Sequence, residues 1–133
     1  MKDDFLWVEK YRPTHIEHCI LPKDIKDTFQ SFVKKGEVPN LLLCGTAGIG
    51  KTTIAKALCN EIGVDSYMIN GSDEGRFLDT VRNSAKQFAS TVSLTSASKH
   101  KVIIIDEADN TTHDVQLLLR ASIEEFQNNC RFI

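Results

Sequence analysis

The chain has 133 residues, of which 16 are lysine or arginine and 18 are aspartate or glutamate, so its formal net charge is −2. A chain of this length forms one small domain and buries about two-thirds of the surface that its unfolded form exposes. Hydrophobic residues make up 41% of the chain, which excludes a wholly disordered protein. The near-neutral charge argues against a generally basic surface for nucleic acid, although it leaves room for a local basic track.

The sequence carries no segment typical of membrane insertion or export. Its longest apolar runs, such as 102–105, are a few residues long, whereas about 18 are needed to span a bilayer. Asp3 and Asp4 stand where a signal peptide has basic residues. We therefore expect a cytoplasmic protein, in the host cytoplasm if a phage encodes it, with no membrane partner.

The cysteines indicate reduced thiols rather than a disulfide framework. Cys19, Cys44, Cys59 and Cys130 are far apart without a C-x-x-C pair, and Cys44 lies in an apolar run where a buried thiol is expected. The histidines show no ligand pattern with cysteines or carboxylates, so no zinc site is predicted.

Helical and strand patterns alternate after Pro22. Amphipathic helices are predicted over 23–35, 50–62, 73–89 and 114–126. Strands are predicted over 40–44, which we expect to be buried on both faces, 66–69, 102–105 and 130–133. This alternation predicts an α/β fold in which a parallel sheet has helices on both faces. Ligands of such sheets bind beyond the carboxyl ends of the strands.

A glycine-rich segment, 45–52, follows the first predicted strand and opens the second predicted helix. It matches the P-loop or Walker A pattern G-x-x-x-x-G-K-[ST], whose glycines turn backbone N–H groups toward phosphates. Lys51 would contact the β- and γ-phosphates of ATP, and the Thr52 hydroxyl would bind Mg²⁺. A glycine turn that merely caps a helix is disfavoured by the complete pattern in this context. The candidate nucleotide contacts are Gly45, Thr46, Ala47, Gly48, Ile49, Gly50, Lys51, Thr52 and Thr53.

Two acids at the end of the predicted strand 102–105 match a Walker B motif. Asp106 would hold Mg²⁺ through water, and Glu107 would polarise the attacking water as general base. Asn70 ends the preceding strand and would restrain Glu107 if the two strand ends are neighbours. A role as a simple turn former explains Asn70 equally well.

Three cations lie on the predicted helix 73–89, namely Arg76, Arg82 and Lys86. They could form a track that contacts the phosphates of DNA. From spacing alone, a solvated helix face explains them equally well.

Four segments in one order resemble the AAA+ sliding-clamp loader ATPases of the replication factor C kind, most closely the phage-type large subunit. They are W-V-E-K-Y-R-P at 7–13, the P-loop, N-G-S-D at 70–73 and D-E-A-D at 106–109. The resemblance implies that Tyr11, Arg12 and Pro13 lie against the adenine. It also favours Arg82 as a contact to DNA phosphate.

The same resemblance implies a polar junction at Gln116 and a nearby subunit interface at Arg120. It divides the chain into an N-terminal adenine-box segment, 1–22, and a partial AAA+ core, 23–133. In that family sensor 1, the arginine finger, the lid and the collar follow, so we expect a P-loop NTPase core truncated before the lid. The sequence departs from the family at 46–50, which is T-A-G-I-G instead of P-P-G-T-G, and at Ala121, which replaces an arginine.

The implied function is that of an ATP-hydrolysing subunit of a clamp loader in DNA replication. Its expected partners are other clamp loader subunits, a sliding clamp and primer–template DNA. For the chain alone we expect weak ATP binding and negligible turnover, because such a site needs a neighbour's arginine finger. One alternative is another AAA+ ATPase that acts on DNA, such as a helicase loader or a Holliday-junction motor. The other is a nucleotide-binding module that does not hydrolyse ATP.

Overall fold

The computed structural model describes residues 6–72, 78–91 and 100–133. Among these residues, no helix is both long and apolar enough to cross a membrane. The α-helices are α1 (Trp7–Lys10), α2 (Lys23–Lys35), α3 (Lys51–Ile62), α4 (Lys86–Ser90) and α5 (His113–Phe126). The strands are β1 (Ser66–Asn70), β2 (Lys101–Asp106) and β3 (Cys130–Phe132). Short 3-10 turns lie at Ile16–His18 and Ala108–Asn110, and a π-helical stretch, Thr80–Ala85, precedes α4.

Glycines end α2 and α3, the two long helices that precede the sheet in the sequence. α2 ends at Gly36 and α3 at Gly63, and both glycines have left-handed backbone with φ of +67° and +75°. Glycine adopts this conformation without steric cost, so it closes a helix at a defined residue. The predicted helices over 23–35 and 50–62 are therefore confirmed almost to the residue.

The three strands form one parallel sheet in the order β1-β2-β3. β2 alternates between the two faces: Val102 and Ile104 pack on the side of α2 and α3, whereas Ile103 packs on the side of α4 and α5. Each buried aliphatic side chain of this kind stabilises the fold by about 1.5–3 kcal/mol. The predicted parallel sheet with helices on both faces is confirmed.

The segment 40–44 is not a strand, so that prediction was wrong. It runs beside β3, where Leu41 N donates to Phe132 O over 2.9 Å, and no strand is assigned to it. Leu41 and Leu43 pack against the core, but Leu42 is 84% exposed and Cys44 is also exposed. Within the described residues nothing covers that second face, so the segment alternates in burial instead of being buried on both faces.

The cysteines form no disulfide. Burial raises the pKa of the Cys59 thiol to about 12 and that of Cys130 to about 11, so both thiols stay protonated. Cys44 is exposed, and the expectation that it is buried was therefore wrong.

The predicted helix 73–89 differs from the structure in its middle. Residues 73–77, which include Arg76, lie outside the described residues. Residues 80–85 form a π-helical stretch instead of α-helix. Its buried side chains, Val81, Ala85 and then Ala89 of α4, are each four residues apart. A four-residue spacing drifts around an α-helix of 3.6 residues per turn, and the wider π turn reduces that drift.

A buried histidine predicts a pH dependence of stability. His100 Nε2 accepts a hydrogen bond from Val38 N over 3.1 Å. Burial, reinforced by the charge of Arg131 and opposed by Glu37, lowers the pKa of His100. The unfolded chain, with a histidine pKa of about 6.5, therefore binds the proton first, so stability is full above that pH and falls as the pH drops below it.

We expect the free energy of unfolding to fall more steeply between about pH 7 and pH 5 in the native chain than in His100→Gln, by up to about 1.4 kcal/mol per pH unit. Urea unfolding at several pH values measures this slope. His113→Gln, which changes an exposed histidine, is the control and should retain the native slope. Parallel slopes for the native chain and His100→Gln would contradict the assignment.

Candidate nucleotide-binding site

The glycine-rich loop turns sharply before α3. Gly48 and Gly50 have φ of +80° and +95°, a region that L side chains rarely adopt. Lys51, the first residue of α3, folds its ammonium back into this loop, where Nζ donates to Gly45 O over 2.9 Å and to Thr46 O over 2.8 Å. The loop therefore holds a cation beside the N-terminus of α3, and both features attract phosphate.

Thr52 and Asp106 meet at the carboxyl end of β2. Thr52 Oγ1 donates to Asp106 Oδ1 over 2.9 Å, although the two residues are 54 positions apart in the sequence. A hydroxyl and a carboxylate oxygen are hard ligands of the kind that Mg²⁺ prefers. The chemistry of these two residues therefore fits a magnesium ion, and the metal site stays a prediction.

The ends of β1 and β2 are direct neighbours. Asn70 pairs with Asp106 in the sheet register, and Gly71 N donates to Asp106 O over 2.7 Å. A Cβ atom on Gly71 would lie 2.6 Å from Glu107 O, so the contact requires glycine. Asn70 Oδ1 accepts hydrogen bonds from the N and Oγ atoms of Ser72, over 3.0 and 2.8 Å. Restraint of Glu107 by Asn70 requires that the two strand ends are adjacent, and they are. The Asn70 side chain itself bonds Ser72 in the turn that follows β1.

Glu107 has an unusual backbone. Its φ of +56° and ψ of +42° make it the one non-glycine residue with positive φ among the described residues. Left-handed backbone costs a side-chain-bearing residue about 1–2 kcal/mol and is found disproportionately at functional sites. The bend directs the chain into the 3-10 turn Ala108–Asn110 and leaves the Glu107 side chain exposed beyond the end of β2.

Arg12 joins the N-terminal segment to α3. Its guanidinium donates to Thr53 Oγ1 over 2.9 Å and makes two hydrogen bonds to the Glu9 carboxylate, over 2.6 and 3.1 Å. The bonds between Arg12 and Glu9 lower the pKa of Glu9 and raise that of Arg12, and the charge of Asp106 raises the pKa of Arg12 further. Tyr11 is 70% exposed and Pro13 half-buried. Of the three predicted adenine contacts, Arg12 therefore bonds directly to the first turn of α3.

The predicted DNA contacts are only partly brought together. Arg82 is exposed on the π-helical stretch. Lys86 is exposed but lies 3.2 Å from Glu125 of α5, an ion pair that sequence spacing did not predict. Such an exposed pair typically stabilises the fold by no more than about 1 kcal/mol, so little free energy opposes its opening.

The predicted interface residues share one face of α5. Gln116 and Arg120 are separated by about one helical turn and are both exposed. Gln116 Nε2 donates to Thr111 O over 3.4 Å, a long hydrogen bond. This face is therefore open to solvent in the described structure.

Residues 41–133 match the model of the ATPase family associated with various cellular activities (AAA). The chain belongs to this family. The match begins just before the P-loop and includes both residues of the Thr52–Asp106 contact. The AAA type of P-loop fold expected from the sequence is thereby confirmed.

Two relatives with similar sequences have names that refer to replication or to clamp loading. The chain is 46% identical over 133 residues to a replication factor C small subunit of Methanoculleus marisnigri, covering 96% of this chain and 41% of that protein. It is 45% identical over 127 residues to the sliding-clamp-loader large subunit of Escherichia phage RB69, covering 94% and 38%. The resemblance to these proteins is confirmed, and the chain spans about two-fifths of their length.

A solved structure with the same fold is the RuvB Holliday junction branch migration motor of Thermotoga maritima. Its TM-score is 0.68 at 24% identity, and the match covers 91% of this chain and 40% of that one. At this identity the likeness concerns the fold alone.

Proposed function

We propose that the chain forms the ATP-binding part of a sliding-clamp loader subunit that hydrolyses ATP in DNA replication. The observation that carries the proposal is the 2.9 Å contact between Thr52 of the P-loop helix and Asp106 at the end of β2. This contact supports the proposal, because P-loop ATPases bring a glycine-rich loop and an acidic strand end together in this way. The names of the replication factor C and phage relatives support clamp loading as the use of this ATPase.

Each group of residues in the proposed site has its own role. Backbone N–H groups of 45–53 and the Lys51 ammonium bind the phosphates, while Arg12 and its neighbours Tyr11 and Pro13 bind the base. Thr52 and Asp106 hold Mg²⁺, which when bound neutralises charge on the phosphates. Glu107 orients water and takes its proton, and Asn70 restrains Glu107 from the adjacent strand end. The exposed position of Glu107 allows water to reach it.

The proposed contacts to DNA and to a neighbouring subunit are made by exposed polar and charged side chains. Arg82 and Lys86, with Arg76 outside the described residues, contact the phosphates of primer–template DNA. Gln116 and Arg120 on α5 face a neighbouring clamp loader subunit. The assembly grips an open sliding clamp and acts in the cytoplasm. Phosphate contacts from arginine and lysine carry no sequence information, which suits a protein that loads clamps at any primer end.

The test is ATP turnover by the complex that carries this chain, with and without sliding clamp and primer–template DNA. We expect clamp and DNA together to raise turnover at least about tenfold, as substrates do when they complete a catalytic site. Stimulation by a Holliday junction in place of clamp and primer–template would favour a junction motor. ATP binding without turnover under every condition would favour a module that does not hydrolyse ATP, and the chain alone should show weak binding and negligible turnover.

A further inference from the structure

Two adjacent polar residues near the end of α3 hold the N-terminal segment 12–16. Asn60 Nδ2 donates to Thr14 O over 3.0 Å. Glu61 Oε2 accepts a hydrogen bond from Ile16 N over 2.7 Å. Both partners are backbone atoms, so these bonds fix the path of the segment and not the rotamer of one side chain. The 2.7 Å bond has the length of a charge-assisted hydrogen bond, which is about twice as strong as a neutral one.

The segment is attached at both ends of α3. Arg12 bonds Thr53 in the first turn of α3, whereas Ile16 bonds Glu61 in the last turn. The segment therefore runs beside α3 in the direction of the helix, with Arg12 at the first turn and Ile16 at the last.

The end of the segment at Ile16 is anchored in the core. Ile16 is completely buried and belongs to the same apolar cluster as Leu58 and Cys59 of α3. Ile16 also begins the 3-10 turn Ile16–His18, whose first N–H group has no partner within the turn. The Glu61 carboxylate supplies that partner. At the other end of the segment, Arg12 and Pro13 are half-buried, and Tyr11, which precedes the segment, is exposed.

We propose that Asn60 and Glu61 are positioning residues for nucleotide binding: they hold the segment 12–16 so that Tyr11, Arg12 and Pro13 meet the base of ATP. The inference rests on the proposed role of these three residues in the nucleotide site. Loss of the two bonds frees the segment from the last turn of α3 and leaves the P-loop intact, because no P-loop residue takes part in either bond.

The test compares ATP with inorganic tripolyphosphate, which offers the same phosphates without a base. Binding of each to the full chain is measured by calorimetry in the presence of Mg²⁺, for the native protein and for Asn60→Ala/Glu61→Ala. Loss of two positioning hydrogen bonds is expected to weaken ATP binding about tenfold and tripolyphosphate binding by less than about twofold. Glu61→Gln retains an oxygen that accepts from Ile16 N, so it should bind ATP nearly as tightly as the native chain.

Glu124→Ala removes an exposed carboxylate from α5 and serves as the control for charge, and the single variant Asn60→Ala serves if the double variant fails to fold. Equal loss for both ligands would overturn the inference, because a structural defect weakens phosphate binding too. Unchanged ATP binding in the double variant, or native binding of ATP no tighter than that of tripolyphosphate, would overturn it as well while leaving the P-loop assignment intact. A native chain that binds neither ligand would instead contradict the proposed function.

Discussion

Replacement of Lys51 by alanine is expected to weaken binding of Mg-ATP about 100-fold. The Lys51 ammonium lies inside the glycine-rich loop, 2.9 Å from Gly45 O and 2.8 Å from Thr46 O, where the phosphates of a P-loop ligand are held. A hydrogen bond to a charged group contributes about 1.5–3 kcal/mol, and about 2.7 kcal/mol corresponds to 100-fold in affinity. Titration with a fluorescent ATP analogue measures the change.

Lys23→Ala is the matched control, because it removes a lysine from the exposed first turn of α2. That variant should bind ATP like the native chain. Thermal unfolding of both variants shows whether each has kept its fold. A folded Lys51→Ala chain with native affinity for Mg-ATP would remove Lys51 from the phosphate site and with it the P-loop assignment.

Local sequence patterns predicted the elements whose form depends on neighbours along the chain. The apolar spacing of α2 and the glycines after α2 and α3 determine where those helices end. Ligand sites lie at the carboxyl ends of parallel strands, and this rule was enough to predict that Thr52 and Asp106 are close together. Each of these inferences needs only the local sequence pattern and the right-handedness of the connections between parallel strands.

Features that depend on distant partners were not predictable in this way. Whether 40–44 forms a strand depends on its backbone pairing with β3, a distant partner that no local pattern specifies. Lys101 opens β2 yet is buried, because its ammonium donates to Phe88 O over 2.9 Å and to Thr91 Oγ1 over 2.6 Å. An isolated lysine in a sequence gives no sign of such partners.

The sequence also did not predict the immediate surroundings of Asp106 and Glu107. Nothing in the pattern N-G-S-D shows that Gly71 must lie against Glu107 O, a contact set by the register of β1 and β2. Nor does the pattern D-E-A-D show that Glu107, just before the 3-10 turn Ala108–Asn110, has a positive φ. The motif therefore identified the residues, and tertiary packing decided how they are presented.

Replacement of Glu107 by glutamine is expected to separate ATP binding from ATP hydrolysis. The amide keeps the shape of the side chain but cannot take a proton from water, so turnover by the assembled complex should fall about 10²–10⁴-fold, the usual contribution of a general base. Affinity for Mg-ATP should change less than about twofold, because Thr52 and Asp106 keep their contact. Steady-state turnover and equilibrium binding are measured on the same preparation, in the complex, since the chain alone should turn over too slowly for comparison.

Asp109→Asn tests whether the loss depends on position or only on charge. Asp109 is an exposed acid two residues further on, in the 3-10 turn that follows Glu107, and its loss should leave turnover near the native value. If Glu107→Gln and Asp109→Asn reduce turnover equally, the acidic segment acts through its general field and Glu107 is not the base. If Glu107→Gln alone reduces it with affinity intact, the strained backbone at Glu107 is explained as the means by which β2 presents one carboxylate to water and another to the metal.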